Sequence, residues 1–199
     1  MELTDTAVAI LDAAQELAQT RGYNAFSYRD LAERVGIRTA SIHYHFPTKA
    51  DLGRALLARY GAFVAGAVAD VERRTADAPA RLQGYAALLE AVLAPPGSGA
   101  SGGGRVCLGG MLASEYPTLP PEVQGAVRGF VDDNLRWLAR VLDEGRTAGT
   151  LVFPGTPDAA ATALFSALEG AMLVARTVGD VGRYRAASAW LLAALTPAP

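Results

Sequence analysis

The sequence predicts an all-α protein of about nine helices: a three-helix head carrying a helix-turn-helix, then a larger helical body. Three observations predict it. Apolar residues recur at three- and four-residue spacing along most of the chain, as in Ile10, Ala13, Ala14 and Leu17. Helix starts are marked by Ser, Thr or Asp and helix ends by Gly or Pro. Residues 27–46 spell helix, glycine-containing turn, helix.

With 199 residues, 51% of them apolar, the chain can build a sizeable core in one domain or two small ones. The net charge of −2 does not by itself suggest nucleic acid, but the charge is unevenly spread. Arg38, Lys49, Arg54 and Arg59 stand close together against the single acid Asp51, so a basic patch sits on an acidic body. Lys49 is the only lysine among the 18 basic residues, which fits either a coding bias toward arginine or a requirement for lysine there. One cysteine excludes an internal disulfide framework and fits a reducing compartment. The acidic, amphipathic start MELTDTAVAILDAAQEL is unlike a signal peptide. No run reaches the roughly 18 uninterrupted apolar residues of a membrane span. The expectation is a soluble, cytoplasmic protein with no membrane partner.

Thr4 or Asp5 is placed to cap a first helix that runs to about Arg21 and stops at Gly22. Tyr23 and Phe26 lie in the connector that follows. Ser27 caps the second helix, with Asp30 at its third position, and Leu31 and Val35 point inward. Gly36 ends that helix, and Thr39 is expected to cap the third. Pro47 breaks the third helix, and Thr48 with Asp51 starts the fourth. Leu52, Leu56, Tyr60, Phe63, Val64 and Ala67 then carry one apolar face toward about Arg74. A helix of that length beginning directly behind the third is placed to act as a lever.

Ile42 and Phe46 share one face of the third helix and anchor it. That leaves Arg38, Thr39, Ser41, His43, Tyr44 and His45 on the remaining surface, donors and acceptors suited to a helix lying in a DNA major groove. A metal site is not expected, because His43 and His45, the only histidines, diverge by about 200° around a helix. No paired-carboxylate or Ser-His constellation supports an enzyme, so no catalytic residue and no cofactor are predicted.

The stretch Gly36-Ile37-Arg38-Thr39-Ala40-Ser41-Ile42-His43-Tyr44-His45-Phe46-Pro47-Thr48-Lys49-Ala50-Asp51-Leu52 resembles the signature of the TetR family of transcriptional regulators. The match is to a small residue, an apolar residue, two aromatic or His positions, then His/Tyr-Phe-x-[Ser/Thr]-Lys-x-x-Leu. The first helix and the Gly22-Tyr23-Asn24-x-Phe26-Ser27 connector also fit, so the likeness covers roughly residues 5–55. The resemblance implies that Ser27 holds a phosphate, that Thr39 and Ser41 contact bases or phosphates, and that Tyr44 and Lys49 grip the DNA backbone. It also implies that His43 and His45 face DNA. Ala40 replaces a frequent Gly and Thr39 a frequent Lys, which leaves the base preference open.

The body continues with a fifth helix over residues 79–94, closed by Pro95-Pro96, and the glycine-rich stretch to Gly104. That stretch lacks a preceding strand and a Gly-Lys-[Ser/Thr] ending, so it reads as a surface loop. Cys107, near Arg105 and at the start of a sixth helix, is either a small buried hydrophobe or a reactive thiol. The segment Cys107-Leu108-x-x-x-Leu112-Ala113-x-Glu115 resembles a TetR subgroup that includes a repressor sensing electrophiles through such a cysteine. Pro120-Pro121 opens a long seventh helix. Asp158 opens an eighth that is apolar nearly all round, and the ninth covers about Arg183 to Leu195. In the family the last two helices form the dimer interface, which here implies Ala160, Leu164, Leu168, Ala171, Ala175, Trp190 and Leu191.

The sequence therefore divides into a DNA-binding domain, 1–46, and an effector-binding and dimerisation domain, 47–199. The expected protein is a homodimeric repressor of a pseudo-palindromic operator, with recognition helices about 34 Å apart. A small apolar, aromatic or electrophilic effector is expected to release it from DNA. Candidate effector contacts are Phe63, Cys107, Met111, Trp137, Phe165 and Met172, none of them a charged residue type.

Overall fold

The computed structural model describes residues 4–94 and 104–197. Pro95-Pro96 and the glycine-rich stretch as far as residue 103 lie outside the described residues. Among those described there is no strand, and nine α-helices follow in order. They are α1 (Asp5–Arg21), α2 (Tyr28–Val35), α3 (Thr39–His45), α4 (Lys49–Arg74), α5 (Ala78–Leu93), α6 (Leu108–Ser114), α7 (Pro121–Thr147), α8 (Pro157–Val178) and α9 (Val181–Ala193). A single 3₁₀ turn, Tyr116–Thr118, links α6 to α7.

Local chemistry sets most of the boundaries. Thr4 caps α1 through its side chain, and Ser27 with Asp30 forms a full capping box at α2. Gly36 sits at φ 75°, a left-handed position open to glycine, and closes α2 by donating to the Ala32 carbonyl. The expected cap at α3 is corrected. Thr39 is the first helical residue, and the capping position falls on Arg38, whose extended backbone brings no side-chain hydrogen bond.

The described residues of Met1–Ala62 and Leu108–Phe130 form one compact unit. α1, α2 and α3 enclose Ile10, Leu11, Ala14, Leu31 and Ile42, and α6 packs on α1. Val35, expected to point inward, and the neighbouring Ile37 are only partly covered. Leu52, Leu56 and Tyr60 of α4 are buried, whereas the apolar face expected to continue opens at Phe63, which is 62% exposed.

Residues of Phe63–Cys107 and Val131–Pro199 form the second unit, described separately. Here α8 and α9 pack on one another and both pack on α5. Leu82, Leu93, Leu138, Val141, Leu142, Leu164, Leu168 and Met172 make the core. The Tyr184 hydroxyl donates to the Ala86 carbonyl at 2.8 Å, tying α9 to α5. Glu72 of α4 accepts from Trp137 Nε1 at 2.9 Å and pairs with Arg140, fastening α4 to α7 within this unit. At Gly84 the backbone comes so near α4 that an added Cβ would stand 2.6 Å from Val71.

In the first unit Gly109 of α6 has no room for a side chain, since a Cβ there would overlap the Phe130 ring of α7. Gly109→Ala is expected to lower unfolding stability by about 1–3 kcal/mol, read from the denaturant midpoint. An unchanged midpoint would mean the Phe130 ring swings aside freely.

Candidate nucleic-acid interface and effector site

The exposed face of α3 follows from its anchors. Ile42 and Phe46 are buried, so Arg38, Thr39, His43 and Tyr44 stand in solvent, with Tyr44 84% exposed. Ser41 and His45 are half-covered. The His43 ring meets the Tyr28 ring edge-on at 4.8 Å, and its Nδ1 lies 3.2 Å from the Pro47 carbonyl, to which it donates. His45 leans instead on Tyr44, with ring centroids 5.1 Å apart. Ser27 already engages Asp30 through its hydroxyl (2.7 Å), and these bonds hold the Asp30 carboxyl below the usual range.

The break between α3 and α4 is the most heavily bonded part of this site. Pro47 ends the third helix, and Phe46 lies in the extended break before α4. The Tyr28 hydroxyl sits between the carbonyls of Phe46 (2.9 Å) and Thr48 (2.6 Å), which share its single proton. The Tyr23 hydroxyl donates to the Lys49 carbonyl at 2.6 Å. Thr48 and Asp51 exchange bonds to cap α4, and they lower the Asp51 carboxyl. Burial pushes the Tyr23 hydroxyl up to about 12, Glu115 adding to it, and burial likewise raises Tyr28, so both remain donors. Glu115 also fixes the connector, accepting from the backbone N–H groups of Tyr23 (2.6 Å) and Asn24 (3.1 Å).

Lys49 does not reach outward. Its ammonium donates to the Phe26 carbonyl and lies over the rings of Tyr23 (4.7 Å) and Phe26 (4.5 Å). Burial lowers its pKa, while Glu115 and Asp30 act the other way. Tyr23, Tyr28 and Glu115 were not singled out from the sequence as parts of this site. Nothing local marked any of the three, since Tyr28, Tyr23 and Glu115 reach their partners 18, 26 and 92 residues away along the chain.

The proposed effector residues are scattered. Trp137 stacks on Tyr85 with centroids 5.4 Å apart, Phe165 and Met172 are buried, and Cys107 is 1% exposed. Met111 belongs to the first unit, and Phe63 is largely exposed. A cavity of about 390 Å³ in the second unit is lined by others, among them Pro79, Leu82, Gln83, Leu151, Ala189 and Leu192. Burial pushes the Glu169 carboxyl up to about 7, and the Cys107 thiol acts the other way. Glu169 was missed by the sequence reading, although a lone acid within an apolar helix was the available signal.

Of the proposed dimer residues, Leu164, Leu168 and Ala175 are buried inside the chain's own second unit. Ala160, Ala171 and Leu191 are half-covered, and Trp190 is 71% exposed. The apolar residues α8 leaves outward are Leu173, Val174 and Val178.

A helix-turn-helix with an exposed reading helix, joined to a helical body, defines a one-component DNA-binding regulator. Comparison with known proteins bears this out. Residues 10–56 match the model for bacterial regulatory proteins of the tetR family, and residues 78–191 match the Tetracyclin repressor-like C-terminal domain. A TetR-family transcriptional regulator from Agrobacterium tumefaciens is 36% identical, with a TM-score of 0.89 over 96% of this chain and 98% of that one. A TetR transcriptional regulator from Legionella pneumophila is 30% identical, with a TM-score of 0.84 over 98% of this chain and 100% of that one. Transcriptional regulator AcuR of Cereibacter sphaeroides is 28% identical over 169 residues, 84% of this chain and 75% of that protein. The chain belongs to the TetR family of DNA-binding transcriptional regulators and is not an enzyme. Its helices α4 and α8 are long and apolar enough to cross a membrane by length and composition alone, a test that core helices also pass.

Tyr28→Phe removes the donor that serves the Phe46 and Thr48 carbonyls. It is expected to cost about 1–3 kcal/mol of stability. Amide exchange should rise first at the α3–α4 junction, and exchange confined to other helices would refute the assignment.

Proposed function

We propose that the protein is a cytoplasmic homodimeric repressor that binds a pseudo-palindromic DNA operator and is released by a small effector. The observation that carries the DNA-binding residues is the α3 face itself: hydrogen-bonding groups stand outward from a helix pinned by Ile42 and Phe46. Thr39, Ser41, His43 and His45 are the proposed base-reading or groove-facing residues, and Arg38, Tyr44 and Ser27 the backbone contacts. Lys49, with its ammonium on Phe26, serves by holding α3 and α4 in place. On this reading residues 1–46 form the DNA-binding domain and 47–199 the effector-binding and dimerisation domain. The effector is apolar, aromatic or electrophilic, near Cys107, Trp137, Phe165 or Met172, and no cofactor or metal takes part.

Exposed apolar residues support dimerisation through α8 and α9. Leu173, Val174 and Trp190 lie in solvent in the single chain, where a second copy would cover them. The proposed interface therefore shifts around α8 from Leu164 and Leu168 to Leu173 and Val174, keeping Trp190.

DNA binding is tested by titrating the protein against its own upstream region at several salt concentrations. Affinity should fall steeply with salt, and Arg38→Ala should reduce the slope by about one. Lys49→Ala and Tyr44→Phe should weaken binding to all sequences alike, Lys49→Ala with the slope unchanged. Ser41→Ala and Thr39→Ala should instead alter preference among sequences, by about 1–3 kcal/mol at the affected base pair. Equal behaviour of all these variants would overturn the sorting into backbone and base contacts. Separately, Val174→Arg with Trp190→Arg should convert a dimer to a monomer in sedimentation. A variant that stays dimeric would move the interface elsewhere.

A further inference from the structure

Glu115 directly follows α6, yet both oxygens of its carboxylate lie on the connector between α1 and α2. Oε2 accepts from the Tyr23 N–H at 2.6 Å and Oε1 from the Asn24 N–H at 3.1 Å. Successive amides turned the same way make a concave donor pair suited to an anion, and this one holds a single carboxylate. The neighbouring side chains repeat the tie. The Asn24 side-chain amide donates to Thr118 Oγ1 at 2.8 Å, and that hydroxyl donates to the Glu115 carbonyl at 2.7 Å. Gly22 lets the carboxylate come close, since a Cβ there would stand 2.9 Å from Glu115 Oε1.

The connector so held is the one that fastens α4 behind α3. Tyr23 is gripped at both ends, its N–H by Glu115 and its hydroxyl by the Lys49 carbonyl. The Lys49 ammonium returns the contact by donating to the Phe26 carbonyl. Ser27, next along, caps α2. Glu115 acts on the same groups through its charge. Burial raises the Tyr23 hydroxyl and Glu115 adds to it, while burial lowers the Lys49 ammonium and Glu115 opposes that. All of this lies in one compact unit, which joins the described residues of 1–62 to 108–130. At Gly53 of α4 an added Cβ would stand 2.9 Å from Val123 of α7 and 3.0 Å from the Tyr23 ring. Glu115 nevertheless falls outside residues 10–56, which match the tetR family model, and inside the stretch matching the C-terminal domain.

We propose that Glu115 is a positioning residue for operator binding, and that the DNA-reading head is completed by the distant chain segment that carries it. This rests on the reading of α3 as the helix that meets DNA, and adds a residue that acts on it without touching DNA. Charge and position predict opposite signs. Glu115 is an acid in a head whose basic groups meet phosphates, so on charge alone its removal would tighten binding. As a positioning residue its removal weakens binding: two amides lose their acceptor, the connector loosens, and Tyr23 and Lys49 hold the start of α4 less firmly.

The test is affinity for the protein's own upstream region, measured against salt with Glu115→Gln and Glu115→Ala. Glu115→Gln keeps the length and one acceptor but turns an NH₂ toward the second amide. It should weaken binding about 10-fold and Glu115→Ala about 100-fold, both with the wild-type salt slope because no phosphate contact is lost. Amide exchange at Tyr23 and Asn24 should quicken in the same order. Tyr184→Phe gives up a buried hydrogen bond in the second unit and controls for general destabilisation. It should keep wild-type affinity. Equal or tighter binding by Glu115→Gln overturns the proposal, and so does an equal loss in Tyr184→Phe. If Glu115→Ala fails to fold, Glu115→Gln decides alone. Arg38→Ala tells the two readings apart. A reduced slope for Arg38→Ala beside wild-type affinity for Glu115→Gln keeps the α3 reading and discards the positioning role. An unchanged slope for Arg38→Ala beside weakened Glu115→Gln keeps the positioning role and discards Arg38 as a phosphate contact.

Discussion

The DNA-reading surface depends on the hydrogen bonds that clamp the break between α3 and α4. Pro47 has no N–H and ends the ladder of backbone bonds there. Phenols bridge the break: Tyr28 serves the Phe46 carbonyl and adds to that of Thr48, and Tyr23 adds to the Lys49 carbonyl at the start of α4. Burial holds both phenols in the donor form. The Lys49 ammonium completes the joint from the other direction by donating to Phe26. Such bonds are worth about 1 kcal/mol each when made and more when left unmade, so the angle between α3 and α4 is fixed by the cost of disturbing them. A helix of only seven residues has little intrinsic stability. Its orientation is set by the anchors Ile42 and Phe46 and by this joint.

The second unit applies the same rule with one departure. Tyr85 with Asn134, Tyr184 with Ala86 and Trp137 with Glu72 each give a polar group within the packed helices a partner. Glu169 stands apart with an unsatisfied oxygen. Departures from polar satisfaction concentrate at functional positions, where a destabilising arrangement is retained for what it does.

Much of this was legible in the sequence, and the division between what was and was not has a physical cause. Caps and stops are short-range, so Thr4, Ser27 with Asp30, Gly36 and Thr48 with Asp51 announced their helices within a few residues. The anchors Ile42 and Phe46 were legible because a half-exposed helix has a phase. α8 is apolar nearly all round and has no phase to read. Leu164, Leu168 and Ala175 therefore looked as fit for a partner as Leu173 and Val174, and packing against α5 and α9 decided between them. Long-range partners were likewise invisible. Lys49 turns inward because the Phe26 carbonyl and two rings, more than twenty residues back along the chain, receive it. Glu115 reaches the Tyr23 and Asn24 amides across a still longer separation.

The joint also bears on how an event in the body could reach DNA under the proposed function. α4 and α7 are each continuous across the boundary between the two compact units, at residues 62–63 and 130–131. At its start α4 is fastened to α3 by Tyr23, Tyr28 and Lys49. Continuity of the chain is not enough, because an effector moves a two-state equilibrium only by as much as it discriminates between the states. Moving a protein from almost wholly DNA-competent to almost wholly released takes about 5.5 kcal/mol of discrimination. A small apolar ligand must therefore place most of its contacts where the two states differ, because contacts made equally in both shift nothing.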